Sequence, residues 1–374
     1  HLVEQAREVG QGAATARDLV VLGLIPWRYR YQRPQHLSVG LGRRAWRVLY
    51  VDPDFLPESD ERAFAVEESP AENVFRLKLR MPGPGDIHAA PPDPRQVAAF
   101  REALQHLAGA VGLREPVLLL QAPFWLPVAG VMEPSRLAYD CMDLYGAFPH
   151  ARSPLVELED ELLARAETVV FSSAVLEQQL ATAGRSVVVR NACEFGRFSS
   201  APPRRSSARP TVGYVGAVDR WFDADLLEGC VEAHPEWDFV LVGSTAGLPA
   251  DALPARANLH LRGEVAYEDV PGLVRGFDVC LIPFVDSPLT RCVDPVKAYE
   301  YLAAGRPVVA TALPELQRLD PGLVHVALTA PEFLRSLEKA MAETDDESLA
   351  RRRCAWAAHQ TWEVRAEEFD RVLA

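Results

Sequence analysis

Residues Asp294–Thr311, DPVKAYEYLAAGRPVVAT, carry the pattern that decides the fold. Asp294 reads as a helix N-cap, Pro295 as the first helical residue and Gly305 as the C-terminal stop. The β-branched run Pro307–Thr311 follows at once and reads as a buried strand, so the helix is a crossover lying on a parallel sheet. Lys297 falls in the first turn, with Glu300 and Tyr301 three and four residues on, which places all three on one face. A helix N terminus offers unpaired amides and a partial positive charge, and an ammonium beside it suits a diphosphate. The Glu300 carboxylate could accept hydrogen bonds from paired ribose hydroxyls. The same residues also read as a solvated Lys–Glu pair on an ordinary amphipathic helix.

Working outward from this stretch, short apolar runs alternate with helical patterns in two successive sets. The first set is Asp18–Leu24, Arg47–Asp52, Val74–Leu79, Pro116–Gln121, Arg136–Cys141, Thr168–Ser173 and Ser186–Arg190. The second is Thr211–Gly216, Asp238–Gly243, Asn258–Arg262, Val279–Pro283, Pro307–Thr311 and Leu323–Ala327. The fold class predicted is therefore α/β, with two doubly wound, Rossmann-like domains facing across a cleft. A chain of 374 residues exceeds what one core usually supports, which agrees with two domains. The expected boundaries are a tail or loose helix over 1–17, a first domain over 18–197 and a Pro/Ser/Arg linker, FSSAPPRRSSARP, over 198–210. A second domain over 211–346 follows, then a helical segment over 347–374 that packs back across both domains, with Trp356, Trp362, Phe369 and Val372 as apolar anchors.

A formal net charge of −13 argues against nucleic acid as a partner, since phosphate binding needs a basic surface. The six cysteines are scattered without zinc spacing, the histidines form no metal motif, and no P-loop or Gly-x-Ser-x-Gly elbow is present. The apolar runs are far shorter than a membrane span, and a cytoplasmic protein is expected, with peripheral contact at the inner membrane face left open.

The segment Lys297–Thr311 resembles the donor-site helix and following strand of GT-B glycosyltransferases, especially bacterial polysaccharide-assembly members of the group 1, family 4-like kind. Other segments are similar in the same order: Thr211–Asp225 (TVGYVGAVDRWFDAD), Gly263–Phe284 (GEVAYEDVPGLVRGFDVCLIPF), and Asn191–Phe198 (NACEFGRF), which resembles the Asn-Gly-Val-Asp…Phe crossing between domains. The likeness spans roughly residues 18–370. It implies a metal-independent hexosyltransferase-type glycosyltransferase without cofactor. Such an enzyme moves a sugar from a nucleotide-diphosphate donor to a glycan, lipid-linked or small-molecule acceptor, in polysaccharide or glycoconjugate biosynthesis. Alternatives are a nucleotide-sugar 2-epimerase of the same fold and a noncatalytic partner in a polysaccharide-assembly complex. One departure is local: retaining members commonly show Glu-x7-Glu, and with Glu300 as the second member the first falls on Cys292.

The resemblance and the residues together give the expected site. Lys297, Glu300, Arg220 and Gly216 are placed on the donor diphosphate and ribose, and Glu264, Val265 and Pro283 on the base side. On the acceptor side are Arg33 and Trp27, from PWRYRYQRPQHL, with Asp143 of YDCMD as general base and His36 as the second candidate. No metal ligand is expected.

Overall fold

The structure, a computed structural model, describes residues 1–12, 17–148, 153–180, 182–204, 208–249, 251–253 and 255–374. It divides into two compact units, His1–Arg190 with Arg365–Ala374, and Asn191–Val364.

The first unit is built on strands β1 (Arg17–Leu22), β2 (Trp46–Leu56), β3 (Phe64–Ala71), β4 (Val74–Arg80), β5 (Val117–Leu120), β6 (Arg136–Cys141), β7 (Thr168–Phe171) and β8 (Arg185–Val188). Their order in the sheet is β3-β4-β2-β1-β5-β6-β7-β8. Runs such as VLLL and TVVF are buried along their whole length, as strands covered by helices on both faces must be. All pairings are parallel except β3 with β4. The edge strand β3 was missed by the sequence reading because FAVEESPA mixes glutamates and a proline into its apolar alternation, a usual way to blunt an exposed edge.

The chain's first residues form a helix, Leu2–Gly12, rather than a loose tail, and the rest of that expected segment, 13–16, lies outside the described residues. The helix is fastened by Arg47. Its guanidinium pairs with Asp18 at 2.7 Å through both Nε and Nη2, and its Nη1 donates to the carbonyls of Ala6 at 2.8 Å and Val111 at 2.7 Å. A buried charge thus ties two helices to the start of β1 and β2 with its donors satisfied. The second of those helices, Pro94–Val111, opens on a reciprocal cap between Asp93 and Gln96 and ends at Gly112 in the left-handed region, φ 62°.

The second unit holds β9 (Thr211–Val215), β10 (Asp238–Val242), β11 (Leu259–Leu261), β12 (Val279–Ile282), β13 (Val308–Thr311) and β14 (Val324–Ala327). All are parallel, in the order β11-β10-β9-β12-β13-β14. Each run read as a strand in the sequence overlaps one of the observed strands.

The expected linker over 198–210 is displaced. The units divide between Arg190 and Asn191, and Phe195–Ser200 is a helix whose Phe198 is fully buried in the second unit's core. Apolar anchoring by Phe198 outweighs the polar run that follows it; residues 205–207 of that run lie outside the described residues. The C-terminal segment splits likewise. Helix Glu347–Ala357, capped by Asp346, belongs to the second unit and stacks Trp356 on Tyr299 at 5.6 Å. Helix Trp362–Leu373 continues into the first, where Phe369 is buried and Asp370 accepts from Trp46 Nε1 at 2.9 Å.

Candidate functional site

In the second sheet the strand order reverses between β9 and β12, and in open α/β sheets ligands bind outside the carboxyl ends of strands at such a point. Gly216 follows β9 there and Pro283–Phe284 follow β12. The backbone of Phe284 is held by Thr311 of β13: the Phe284 amide donates to Oγ1 at 3.1 Å, and Oγ1 donates to the Phe284 carbonyl at 2.8 Å.

The helix expected from Asp294 begins one residue later than its sequence suggests, at Val296, with Pro295 in the cap position. Asp294 is a correction to the N-cap reading. Its carboxylate accepts from the Tyr299 hydroxyl at 2.9 Å and from the Asn191 amide at 2.7 Å, so it fastens the turn before the helix instead of capping it. Burial pushes that carboxyl up to about 6. The far end is as read. Gly305 takes φ 74°, its amide donates to Leu302, and the Arg306 amide donates to Tyr301, both at 3.0 Å.

Lys297 is half-buried, with Nζ 5.3 Å from the centre of the Tyr214 ring and 5.1 Å from that of Phe284. Among the described residues no carboxylate lies within salt-bridge distance of it. Burial lowers its pKa to about 8 against the opposing pull of Glu300. Glu300, one turn on and also half-buried, is pushed up to about 7 by burial, with Lys297 lowering it and Glu194 raising it. Ring faces stabilise the ammonium without satisfying its donors, so the amine stays available to an anion.

Gly216 is brought against this lysine. A Cβ there would meet Lys297 Cε at 3.1 Å and Nζ at 3.3 Å, and the residue's φ of 144° is one that only glycine adopts readily. The turn is shaped by two buried tyrosines: Tyr301 Oη accepts from the Val215 amide at 2.8 Å, and Tyr214 Oη donates to the Ala217 carbonyl at 2.8 Å. Tyr214 escaped the sequence reading; its position two residues before a strand-ending glycine was the available signal. Glu264 and Val265 are exposed beyond Gly263, whose carbonyl accepts from the Gly243 amide at 2.7 Å, and Gly243 lies against the Gly216 carbonyl. Pro283 is buried, and its carbonyl takes the Asp223 amide at 2.8 Å. Arg220 is exposed, its Nε 3.5 Å from Asp219, and among the described residues no contact joins it to Lys297.

In the first unit, Asp143 follows β6 and is half-buried. Burial raises its carboxyl to about 6 against the lowering effect of Arg33. His36 is buried, its ring edge-on to Tyr31 at 4.5 Å. Two acceptor-side expectations are corrected. Arg33 is enclosed: it grips Asp140 through Nη2 at 2.9 Å and Nε at 3.1 Å, donates to the Val189 carbonyl at 2.8 Å and lies over Phe369. Trp27 is packed edge-on to Tyr50 at 5.0 Å, its amide on Asp52, and offers no open face. The burial of partners far apart in sequence turned both into framework.

No helix among the described residues is long and apolar enough to cross a membrane, and none of their His, Cys, Asp and Glu side chains cluster in a metal-holding group.

Comparison with known proteins finds a family match in the second unit and a shared fold over the chain. Residues 209–344 match the family model described as glycosyl transferases group 1. A curated relative is TuaH of Bacillus subtilis (strain 168), named as a teichuronic acid biosynthesis glycosyltransferase, 28% identical over 253 residues. The match covers 61% of this chain and 64% of that relative, just under two thirds of its length. Among solved structures, sucrose-phosphate synthase from Thermosynechococcus elongatus aligns with a TM-score of 0.71 at 17% identity, over 95% of this chain and 98% of the other. The E. coli trehalose-6-phosphate structure bound with UDP-2-fluoro glucose aligns at 0.66 and 13%, over 95% and 98%. The catalytic domain of starch synthase IV from Arabidopsis thaliana, bound to ADP and acarbose, aligns at 0.67 and 11%, over 96% and 99%. These neighbours share their GT-B fold with this chain.

Proposed function

We propose that this chain, which carries a glycosyl transferases group 1 domain at residues 209–344 within a GT-B fold, moves a sugar from a nucleotide diphosphate to an acceptor hydroxyl. The observation that carries the reading is Lys297: an ammonium with no carboxylate within salt-bridge distance among the described residues, seated on two aromatic rings beside Gly216 at the switch point of the second sheet. The donor diphosphate binds the first-turn amides of helix Val296–Ala303 and the ammonium, and Glu300 accepts from the ribose hydroxyls. As the bond from the anomeric carbon to phosphate breaks, the diphosphate keeps the electron pair and Lys297 stabilises it. That stabilisation supports a metal-independent reaction. Glu264, Val265 and Pro283 shape the base side, and the exposed Arg220 reaches the phosphates by reorienting.

On the acceptor side Asp143 takes the hydroxyl proton as the oxygen attacks, with His36 as the second candidate base. UDP and ADP sugars are the first donors to test, from the ligands in the neighbouring structures, and a polysaccharide precursor in the cytoplasm is the first acceptor class, from the name of the relative. None of these relatives is named as an epimerase, which favours transfer.

The test is thermal unfolding with UDP, GDP, dTDP and ADP, followed by hydrolysis of the corresponding nucleotide sugar. Stabilisation by one nucleotide and slow turnover of its sugar are expected. A folded protein that none of the four stabilises would overturn the reading, and stabilisation without turnover would make the chain a noncatalytic partner.

A further inference from the structure

Phe284 follows β12 by two residues, and its ring is one of the two faces on which the Lys297 ammonium rests, 5.1 Å from Nζ. The other face belongs to Tyr214, whose ring is fixed from its far end, where the hydroxyl donates to the Ala217 carbonyl at 2.8 Å. Phenylalanine has no such polar handle. Where its ring stands follows from how its backbone is held.

That backbone is held from both sides. β12 and β13 pair as far as Ile282 opposite Ala310, and Pro283, which comes next, has no amide hydrogen to continue the ladder. On one side the loop after β9 takes over. Phe222 and Phe284 form an antiparallel bridge, in which the Asp223 amide donates to the Pro283 carbonyl at 2.8 Å and the Val285 amide to the Trp221 carbonyl at 2.9 Å. These bonds engage Pro283 and Val285, and both backbone groups of Phe284 face β13 instead. A single hydroxyl there serves the two of them. The Phe284 amide donates to Thr311 Oγ1 at 3.1 Å, and Oγ1 donates its own proton to the Phe284 carbonyl at 2.8 Å. The Ile282 carbonyl, at 3.4 Å, is the more distant of its acceptors. Phe284 is buried, so solvent is not at hand to replace these bonds.

We infer that Thr311 is a positioning residue of the donor site: by holding the Phe284 backbone, its hydroxyl sets the ring on which the Lys297 ammonium is seated. This rests on the donor site proposed above. A lysine side chain is long and freely rotating, and seating its end on two fixed rings before a diphosphate arrives removes an ordering cost from the binding step. Valine has the shape of threonine without the hydroxyl, so Thr311→Val strips both bonds from Phe284. Serine retains them.

Lys78, Lys297 and Lys339 are the lysines of this chain, so protein carrying 13C at the lysine ε carbon gives three signals, and the one absent from Lys297→Arg belongs to Lys297. Protons lying over a ring face are shifted upfield. The Lys297 signal is read without nucleotide, and the dissociation constants of UDP and ADP are measured beside it at about pH 7, below the Lys297 midpoint of about 8. In native protein the Lys297 ε protons should lie upfield of the other two pairs. Thr311→Val should move them toward those of Lys78 and Lys339 and weaken nucleotide binding about fivefold, the order of one ammonium–ring contact. Thr311→Ser should keep the native shift and the native affinity. Phe284→Leu should weaken binding as much as Thr311→Val does, and adding Thr311→Val to it should change the affinity no further. Because Phe284→Leu leaves both Thr311 bonds in place, it tests the seat whether or not Thr311→Val folds. Native affinity in Phe284→Leu, or native affinity and Lys297 shift in folded Thr311→Val, overturns this inference and leaves the donor site standing. A loss in Thr311→Ser equal to that in Thr311→Val also overturns it, since the hydroxyl is then not the cause. Native protein that binds neither nucleotide sinks the donor site, and this inference with it.

Discussion

Lys297 and Gly216 are separated by 81 positions in the chain, yet a methyl group on Gly216 would come within 3.3 Å of the lysine nitrogen. In the proposed donor site, the glycine keeps clear the volume in which the ammonium would meet the diphosphate. Gly216→Ala combines that intrusion with a φ of 144°, which L-residues rarely adopt and which costs about 1–3 kcal/mol. Nucleotide-dependent stabilisation should be lost together with a modest fall in unfolding temperature. Native nucleotide affinity in this variant would refute the assignment of the Gly216 turn.

Lys297→Ala separates the site from the fold. The ammonium makes no salt bridge among the described residues and is held at a cost in desolvation, so its removal should leave the unliganded unfolding temperature unchanged or raised. A nucleotide at one hundred times its dissociation constant stabilises the native protein by about 2.7 kcal/mol. That increment should vanish in the variant, and its survival would remove the lysine from the diphosphate.

The pH dependence has two limbs of opposite sign. Asp143, pushed to about 6, must lose its proton to act as a base, so transfer should rise as pH increases through about 6. Lys297, lowered to about 8, loses its charge above that point, so donor affinity and transfer should fall. Glu300, pushed up to about 7, must also be ionised to accept from the ribose hydroxyls, so the rising limb extends to about 7 and the kcat/KM maximum is expected between that point and the fall at about 8. Asp143→Asn should slow transfer by about 100- to 10,000-fold while nucleotide binding persists. Unchanged transfer would shift the base assignment to His36.

Arg33 now belongs to the framework. Its ion pair with Asp140 is buried on both sides, and loss of one partner of such a pair typically costs about 3–5 kcal/mol. Arg33→Ala should lower the denaturant midpoint sharply. Arg33→Lys should rescue only part of it, because one ammonium cannot serve Asp140 and the Val189 carbonyl in the same geometry. A neutral effect of Arg33→Ala on stability would return the residue to the acceptor side.

Cys292 stands where Glu-x7-Glu would have its first carboxylate, and it is fully buried at the end of the short helix Pro288–Arg291. Cys292→Glu places a charge where no solvent reaches, at a cost of several kcal/mol. A lower unfolding temperature without any gain in transfer is expected, and an accelerated reaction would show that a carboxylate is tolerated and useful there.

Local chemistry made much of this molecule legible in its sequence. Continuous apolar runs such as Val117–Leu120 have few options but central parallel strands, and Gly305 marks a helix end by its lack of a side chain. The shared face of Lys297 and Glu300 followed from helical spacing alone. What the tertiary structure decided was the availability of each charged or aromatic group. Arg33 and Trp27 look identical in sequence to exposed ligand-binding residues; they became framework because Asp140 and Tyr50, distant along the chain, fold against them. Burial and electrostatic coupling are properties of pairs brought together by the fold, and one-dimensional periodicity carries no record of those pairs.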